Sequence, residues 1–295
     1  MPVTRNQLLS AEFLAQLERL SVLSRRPVRG WTAGQRRSRQ AGHSVEFHDY
    51  RPYVAGDDLR YLDWNILRRT DRMMLKLFVD DEELNLHLLL DASASMDWGE
   101  PSKLLWATRM AAALGFIGLS SLERVGLGVM RERVTEGWRP SRGRAHIPAL
   151  LDHLAAIKGR GITQLNDSLT QYAAQSRSSG LLVLVSDLMD PAGYESGLRA
   201  LLERRFEVHL IHVLSPQELE PRLEGDLRLI DKETGATRLL RVKEQTLRAY
   251  QQRLRVFLDD AQTFCQDHGI GYHRTSTGTA VESFVLGALR GRLLA

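Results

Sequence analysis

The sequence predicts an α/β protein built on a doubly wound, mostly parallel sheet, preceded by a small irregular segment that contains some β-structure. Three observations predict it. The apolar run Leu84–Asp91, LNLHLLLD, has the length and branched composition of a strand buried on both faces. A second run, Gly180–Asp187, GLLVLVSD, is of the same kind and also closes on an aspartate. From Leu84 onward, segments of strand and helix character alternate regularly, which is the pattern of a sheet with helices on both faces.

Taken in order, Ala11–Leu23 places Phe13, Leu14, Leu17, Leu20 and Val22 close to a helical stripe. The arginine-rich stretch RRPVRGWTAGQRRSRQAG follows, and its Gly and Pro content argues for loop. In VEFHDYRPYVAGDDLRYLDWN the periodicity is weak, so only short strands and turns are expected, with a turn at Ala55–Gly56–Asp57. Met73–Val79 reads as a strand that leads through the acidic cluster Asp80–Glu83 to the central strand. The natural division is therefore 1–83, with its terminal helix, basic loop and charged segment, and 84–295, the α/β domain.

Within that domain, strand Leu84–Asp91 is followed by helix Lys103–Ser120, a strand through RVGLGVMRE and a hairpin partner at Val134–Trp138. Helix His146–Ile157 leads to the loop KGRGITQL, then helix Asn166–Ser176 and strand Gly180–Asp187. A helix near Tyr194–Arg204, strand FEVHLIHVL and the charged hairpin LRLIDKETGATRLLRV, turning at Thr234–Gly235, come next. Helix Glu244–His268, strand IGYHRTS and helix Val281–Leu293 close the chain.

Composition excludes little, but its details narrow the setting. A single cysteine, Cys265, gives neither an internal disulfide nor a multi-thiolate metal site, which points to a reducing compartment, the cytoplasm. The first twenty residues carry an acidic pair and lack the pattern of a secretory leader. Leu104–Leu119 is long and apolar, but Arg109 stands in its middle and it follows a strand directly, so it reads as a buried helix and not as a membrane span. The net charge of +4 is too small to imply nucleic acid by itself. Its distribution is uneven, with seven arginines and no acid between Arg19 and Val45.

Candidate chemistry gathers where the two apolar runs end. In the strand order 3-2-1-4-5-6 the first and fourth strands are neighbours, and ligands bind at the switch point between their carboxyl ends. Asp91 and Asp187 head those strands. Neighbouring strands lie about 4.8 Å apart, so the two carboxylates fall within reach of one ion. Two such charges repel unless a cation or proton lies between them. Ser93 and Ser95 add hydroxyls, and Thr163, in the loop KGRGITQL, is a candidate third. An oxygen-only set suits a hard cation, Mg²⁺ first with Mn²⁺ or Ca²⁺ as alternatives, and the lack of His or thiol argues against zinc. The competing structural reading is a capping arrangement, with Ser95 or Asp97 at the start of the next helix.

Asp91-x-Ser93-x-Ser95, Thr163 and Asp187 resemble the metal-ion-dependent adhesion site of von Willebrand factor type A domains, and the element order over Leu84–Leu293 resembles that fold. One departure is Leu188, where many such domains have glycine. Upstream, Glu46, Phe47, Arg51, Tyr53, Gly56, Asp57, Asp58, Arg60, Asp63 and Trp64 are similar to the signature of the domain-of-unknown-function family number 58, whose members carry it just before a type A domain. The resemblance implies that Ser93, Ser95 and Thr163 ligate the ion directly, with Asp91 and Asp187 holding its waters, and that a partner's acidic group fills an open position. It also implies a partner class, AAA+ ATPases of MoxR type, and a role in maturation or assembly of other proteins. Arg51, Asp57, Asp58, Arg60, Asp63 and Trp64 would brace the domain or form a second contact surface.

Two other functions compete with this non-enzymatic adaptor. A Mg²⁺-dependent hydrolase or phosphotransferase could attack through Asp91, but such enzymes need a second carboxylate two residues on, where this chain has Ser93, and no G-x-x-x-x-G-K-[ST] loop is present. Nucleic acid could bind through Arg25–Arg39 with Trp31 stacking, although such runs more often face acids of the same chain or of a partner. Neither a small-molecule substrate nor a membrane span is expected. Trp64 and Trp106 read as packed core and His87 as a hydrogen-bonded core histidine, while His43 and His48 receive no role.

Overall fold

The computed structural model describes residues 4–24, 46–79 and 84–295. The basic stretch Arg25–Arg39, His43 and the acidic cluster at 80–83 lie outside the described residues. The chain divides into two compact units, Met1–Arg25 with Leu84–Ala295, and Arg26–Glu83. In chain order the helices are α1 (Arg5–Leu8), α2 (Ala11–Leu17), α3 (Trp64–Thr70), α4 (Lys103–Ser120), α5 (Ile147–Ala155), α6 (Leu165–Gln175), α7 (Glu195–Glu203), α8 (Pro216–Leu219), α9 (Glu244–Asp267) and α10 (Val281–Ser283). The strands are β1 (Glu46–Pro52), β2 (Met74–Val79), β3 (Asn85–Asp91), β4 (Arg124–Met130), β5 (Val134–Arg142), β6 (Leu181–Ser186), β7 (Glu207–Leu214), β8 (Gly225–Ile230), β9 (Thr237–Val242) and β10 (Gly271–Ser276).

The larger unit is built on a six-stranded sheet in the order β10-β7-β6-β3-β4-β5. All neighbours in it run parallel except the edge pair β4 and β5. Counted within this sheet, the first and fourth strands, β3 and β6, are adjacent, as the doubly wound order requires. Alternation along each strand sorts the core into two layers. Leu86, Leu88 and Leu90 of β3 and Val183 and Val185 of β6 join one apolar cluster with α4 and α5. Leu89, Leu182 and Leu184 join another with residues of α6, α7 and α9. Every face of these strands is covered, which is why their sequences are continuous apolar runs.

Helix α4 has the limits its sequence predicts and is buried almost all round. Its small residues let it lie close to the sheet: a Cβ on Gly118 would sit 2.7 Å from Val125 Cγ2 and 3.0 Å from Leu86 Cδ2. Arg109, the charge that argued against a membrane span, reaches the carbonyl of Leu8 at 3.2 Å and pairs with Glu282. Among the described residues no helix is long and apolar enough to cross a membrane.

The structure corrects the division at 83/84. The amino-terminal helices belong with the larger unit, because Leu8, Phe13 and Leu17 bury their apolar stripe in the cluster that holds Met110, Leu114 and Leu150. The carboxyl-terminal helix expected over Val281–Leu293 is also shorter. It runs as α10 and one π-helical turn, Phe284–Ala288, and Gly291 then adopts φ +72°, a left-handed conformation that stops a helix.

In the smaller unit β1 and β2 pair antiparallel, and Gly56 takes φ +107° in the expected turn. Helix α3 was not expected. Its start is written in Asp63, whose carboxylate accepts the backbone N–H groups of Asn65 at 2.8 Å and Ile66 at 3.1 Å, a side-chain cap.

Candidate functional site

Parallel pairing of β3 with β6, in register at Leu90 and Val185, delivers Asp91 and the Ser186–Asp187 pair to the same edge of the sheet. Asp91 is 1% exposed. Its Oδ2 accepts the Ser186 hydroxyl at 2.7 Å and its Oδ1 accepts the Ser93 N–H at 3.0 Å. Burial, reinforced by the charge of Asp187, pushes the Asp91 carboxyl up to about 6, against the pull of those hydrogen bonds. Ser93 is buried and Ser95 half-buried, and their hydroxyl oxygens lie 2.9 Å apart.

Ser93 begins a short 3-10 turn, Ala94–Met96, while α4 is capped by Ser102, whose hydroxyl accepts the Leu105 N–H at 3.2 Å. The alternative that Ser95 or Asp97 caps α4 is therefore not realised, and both serines are left with the aspartates.

The loop that carries Thr163 is laid directly on the Asp91–Ser95 segment. Arg160 N–H donates to the Ala92 carbonyl at 3.0 Å, and Ala94 N–H donates to the Gly161 carbonyl at 3.1 Å. The fit is close at Gly159, where a Cβ would stand 2.5 Å from Asp97 Cβ and 3.0 Å from the Ser93 carbonyl oxygen. Thr163 is 4% exposed. Its hydroxyl and N–H donate to the two carboxylate oxygens of Glu233, at 2.7 and 3.1 Å.

Sequence reasoning missed Lys103. Its ammonium lies 2.5 Å from Asp187 Oδ2 and also pairs with Glu218, and Lys103 is 1% exposed. Burial alone would discharge it, but the two carboxylates outweigh burial and hold its pKa above the ordinary lysine value. Asp187 also accepts the Met189 N–H at 3.0 Å. The one available signal was a cation at the first position of a mostly apolar helix. Ser186 was legible as the residue before Asp187, whereas nothing in DKETG marks Glu233.

The donors at this edge are hydroxyl and carboxylate oxygens, the chemistry that hard divalent cations take. Among the described residues no three His, Cys, Asp or Glu side chains converge to hold a metal, so any ion here would depend on the hydroxyls. Asp91, Asp187 and Glu218 carry three negative charges against one from Lys103. Lys103 thus offsets only part of the carboxylate charge gathered at this edge.

Leu188, the departure from the type A pattern, adopts φ +57° and is fully buried. It takes the left-handed conformation that glycine accepts freely.

Arg51, Asp57, Asp58, Arg60 and Asp63 of the upstream signature are paired within their own unit. Arg51 forks onto Asp57 at 2.6 and 2.8 Å, and Arg60 contacts Asp58 at 2.9 Å. Asp63 caps α3 and also meets the Tyr50 hydroxyl at 2.9 Å and Lys76 at 3.2 Å. Trp64, expected in the core, is 63% exposed; it opens α3, a helix none of whose residues is buried. Trp106 and His87 are buried as expected, and His87 Nδ1 lies 2.8 Å from the Tyr172 hydroxyl.

Comparison with known proteins gives a family match. The model of the family described as protein of unknown function DUF58 matches residues 49–256. The uncharacterized protein Rv1480 of Mycobacterium tuberculosis is 28% identical over 239 residues, covering 79% of this chain and 75% of that protein. Among solved structures the chain is similar to the conserved hypothetical protein BatB from Bacteroides thetaiotaomicron, at 15% identity, covering 68% of this chain and 95% of that one with a TM-score of 0.45. It is also similar to an aerotolerance-related membrane protein from Bacteroides fragilis, at 16% identity, covering 69% and 96% with a TM-score of 0.43. A von Willebrand factor type A structure from Catenulispora acidiphila is 14% identical, covering 48% of this chain and 35% of that one with a TM-score of 0.37. The cytoplasmic location expected from composition is corrected by these findings, since the Bacteroides fragilis protein is named as a membrane protein.

Proposed function

The chain belongs to the DUF58 family, and from that premise we propose that it is a non-enzymatic adaptor that binds a divalent cation, Mg²⁺ first, at the edge formed by β3 and β6 and through it an acidic group of a protein partner. The observation that carries this reading is the convergence of Asp91 and Asp187 at the ends of adjacent parallel strands, with the paired hydroxyls of Ser93 and Ser95 beside them. Ser93, Ser95 and Thr163 would hold the ion directly, and Asp91 and Asp187 would hold its waters. The ion supplies positive charge with a position open to a carboxylate.

The chain's own residues prepare that role. Lys103 compensates part of the charge of Asp187 and fixes that side chain. Ser186 and the Ser93 N–H orient Asp91, whose carboxyl is pushed up by burial and by the charge of Asp187. Arg131, in the turn between β4 and β5, donates to the carbonyl of Lys158 at 3.1 Å and lies near Arg160, both in the loop that carries Thr163, and this basic rim suits an acidic partner. Burial of Asp91 and its two hydrogen bonds favour scaffolding over attack on a substrate. The partner proposed is an AAA+ ATPase of MoxR type, on the strength of the family resemblance.

Co-precipitation with a MoxR-type ATPase in Mg²⁺ and in EDTA tests the reading. Binding should require Mg²⁺ and should be lost in Asp91→Ala and in Ser93→Ala. Partner binding that survives both substitutions contradicts the metal-bridged mechanism.

A further inference from the structure

We propose that Glu233 is the site's own acidic ligand, occupying the position that a partner's carboxylate must take. The proposal rests on the metal-bridged reading above and adds to it a built-in competitor. The contact is two-pronged: both oxygens of Glu233 are engaged by Thr163, through its hydroxyl at 2.7 Å and its N–H at 3.1 Å. A threonine hydroxyl that gives its proton to a carboxylate keeps its lone pairs free for a cation. Glu233 therefore lies beside a metal position without removing the donor.

The turn that presents Glu233 is built for this. The Asp231 carboxylate accepts the N–H groups of Glu233 and Thr234, each at 2.8 Å, and Gly235 closes the turn at φ +71°. Burial anchors the base of the hairpin at Val242 but does not account for the placement of its outer part, where Leu229, Ile230 and Leu239 are 41%, 59% and 80% exposed. What its tip does contact is Thr163, in the loop hydrogen-bonded to Ala92 and Ala94. Through Thr163, Glu233 brings a further carboxylate to the loop that lies on the Asp91–Ser95 segment, where a divalent ion held by the Thr163 hydroxyl would meet it.

The consequence is a site closed by its own chain. A tethered carboxylate competes at high effective concentration, so an acidic partner binds only by lifting the β8–β9 tip away. Charge-assisted contacts of this kind correspond to about a tenfold or greater bias toward the closed form.

The test uses Mn²⁺ alone as the probe, with water-proton relaxation reporting how many waters exchange on the bound ion. Wild type, Glu233→Ala and Asp91→Ala are compared. The expected result is Mn²⁺ binding by wild type and by Glu233→Ala, with a larger relaxation enhancement per bound ion in Glu233→Ala as water replaces the carboxylate. Hydrogen exchange at residues 231–236 should also slow with Mg²⁺ in wild type and not in Glu233→Ala. Equal enhancement and equal exchange, with Mn²⁺ binding intact and lost in Asp91→Ala, overturn the role of Glu233 and leave the metal reading standing. Absence of Mn²⁺ binding by wild type overturns both.

Discussion

Lys103 Nζ and Asp187 Oδ2 lie 2.5 Å apart, and neither residue is more than 1% exposed. A charge pair so buried survives only because each member compensates the other, with Glu218 as second partner. The pair ties the first turn of α4 to the end of β6, and so fixes one wall of the candidate site.

Lys103→Met should therefore destabilise the protein severely, by about 3–5 kcal/mol, because it leaves two acids without their cation. Urea denaturation measures it. The double variant Lys103→Met/Glu218→Gln should recover part of the loss, and a single variant as stable as wild type would show that the pair contributes little.

Leu188→Gly should also destabilise, although it relieves a left-handed backbone. Relief is worth about 1–2 kcal/mol, whereas deleting a buried leucine side chain costs about 3–5 kcal/mol. Burial wins, and the expected net loss in urea melts is about 2 kcal/mol.

Gly159→Ala should weaken the proposed metal site more than it weakens the fold. The added methyl meets Asp97 Cβ at 2.5 Å, so the loop bearing Thr163 must move off the Ser93 segment. Mn²⁺ affinity should fall at least several-fold, with a loss of stability of about 1–3 kcal/mol in urea melts.

His87 makes stability depend on pH. Burial depresses its pKa from 6.5 to about 4, so it stays neutral in the folded protein where the unfolded chain would protonate it. Its contribution is fully present above 6.5 and is lost as pH falls toward 4, amounting to about 3 kcal/mol over that window. Asp91, whose carboxyl is raised, acts in the opposite sense, so the comparison is between variants. His87→Gln should flatten the loss between pH 6.5 and 4 relative to wild type in urea melts read across that range.

Elements whose identity is set by their own burial were legible in the sequence. β3, β6 and α4 are mostly apolar and buried on nearly every face, and their runs announce them. Helix α3 was not legible because its seven residues, WNILRRT, carry no stripe and depend on the Asp63 cap. The last helix was misjudged because apolar residues continue past Ala288, where Gly291 breaks the backbone. The same divide holds at the site. Asp91 and Asp187 follow from strand order, since each ends an apolar run. Glu233 lies 70 residues from Thr163, and Lys103 lies 84 from Asp187, so only the folded chain brings them together.

Calorimetric titration of Mg²⁺ and Mn²⁺ into wild type and Asp91→Ala tests the central claim most directly. Saturable one-site binding by wild type that vanishes in a folded Asp91→Ala variant is the predicted result. Binding of equal strength in both proteins, or in neither, would contradict it.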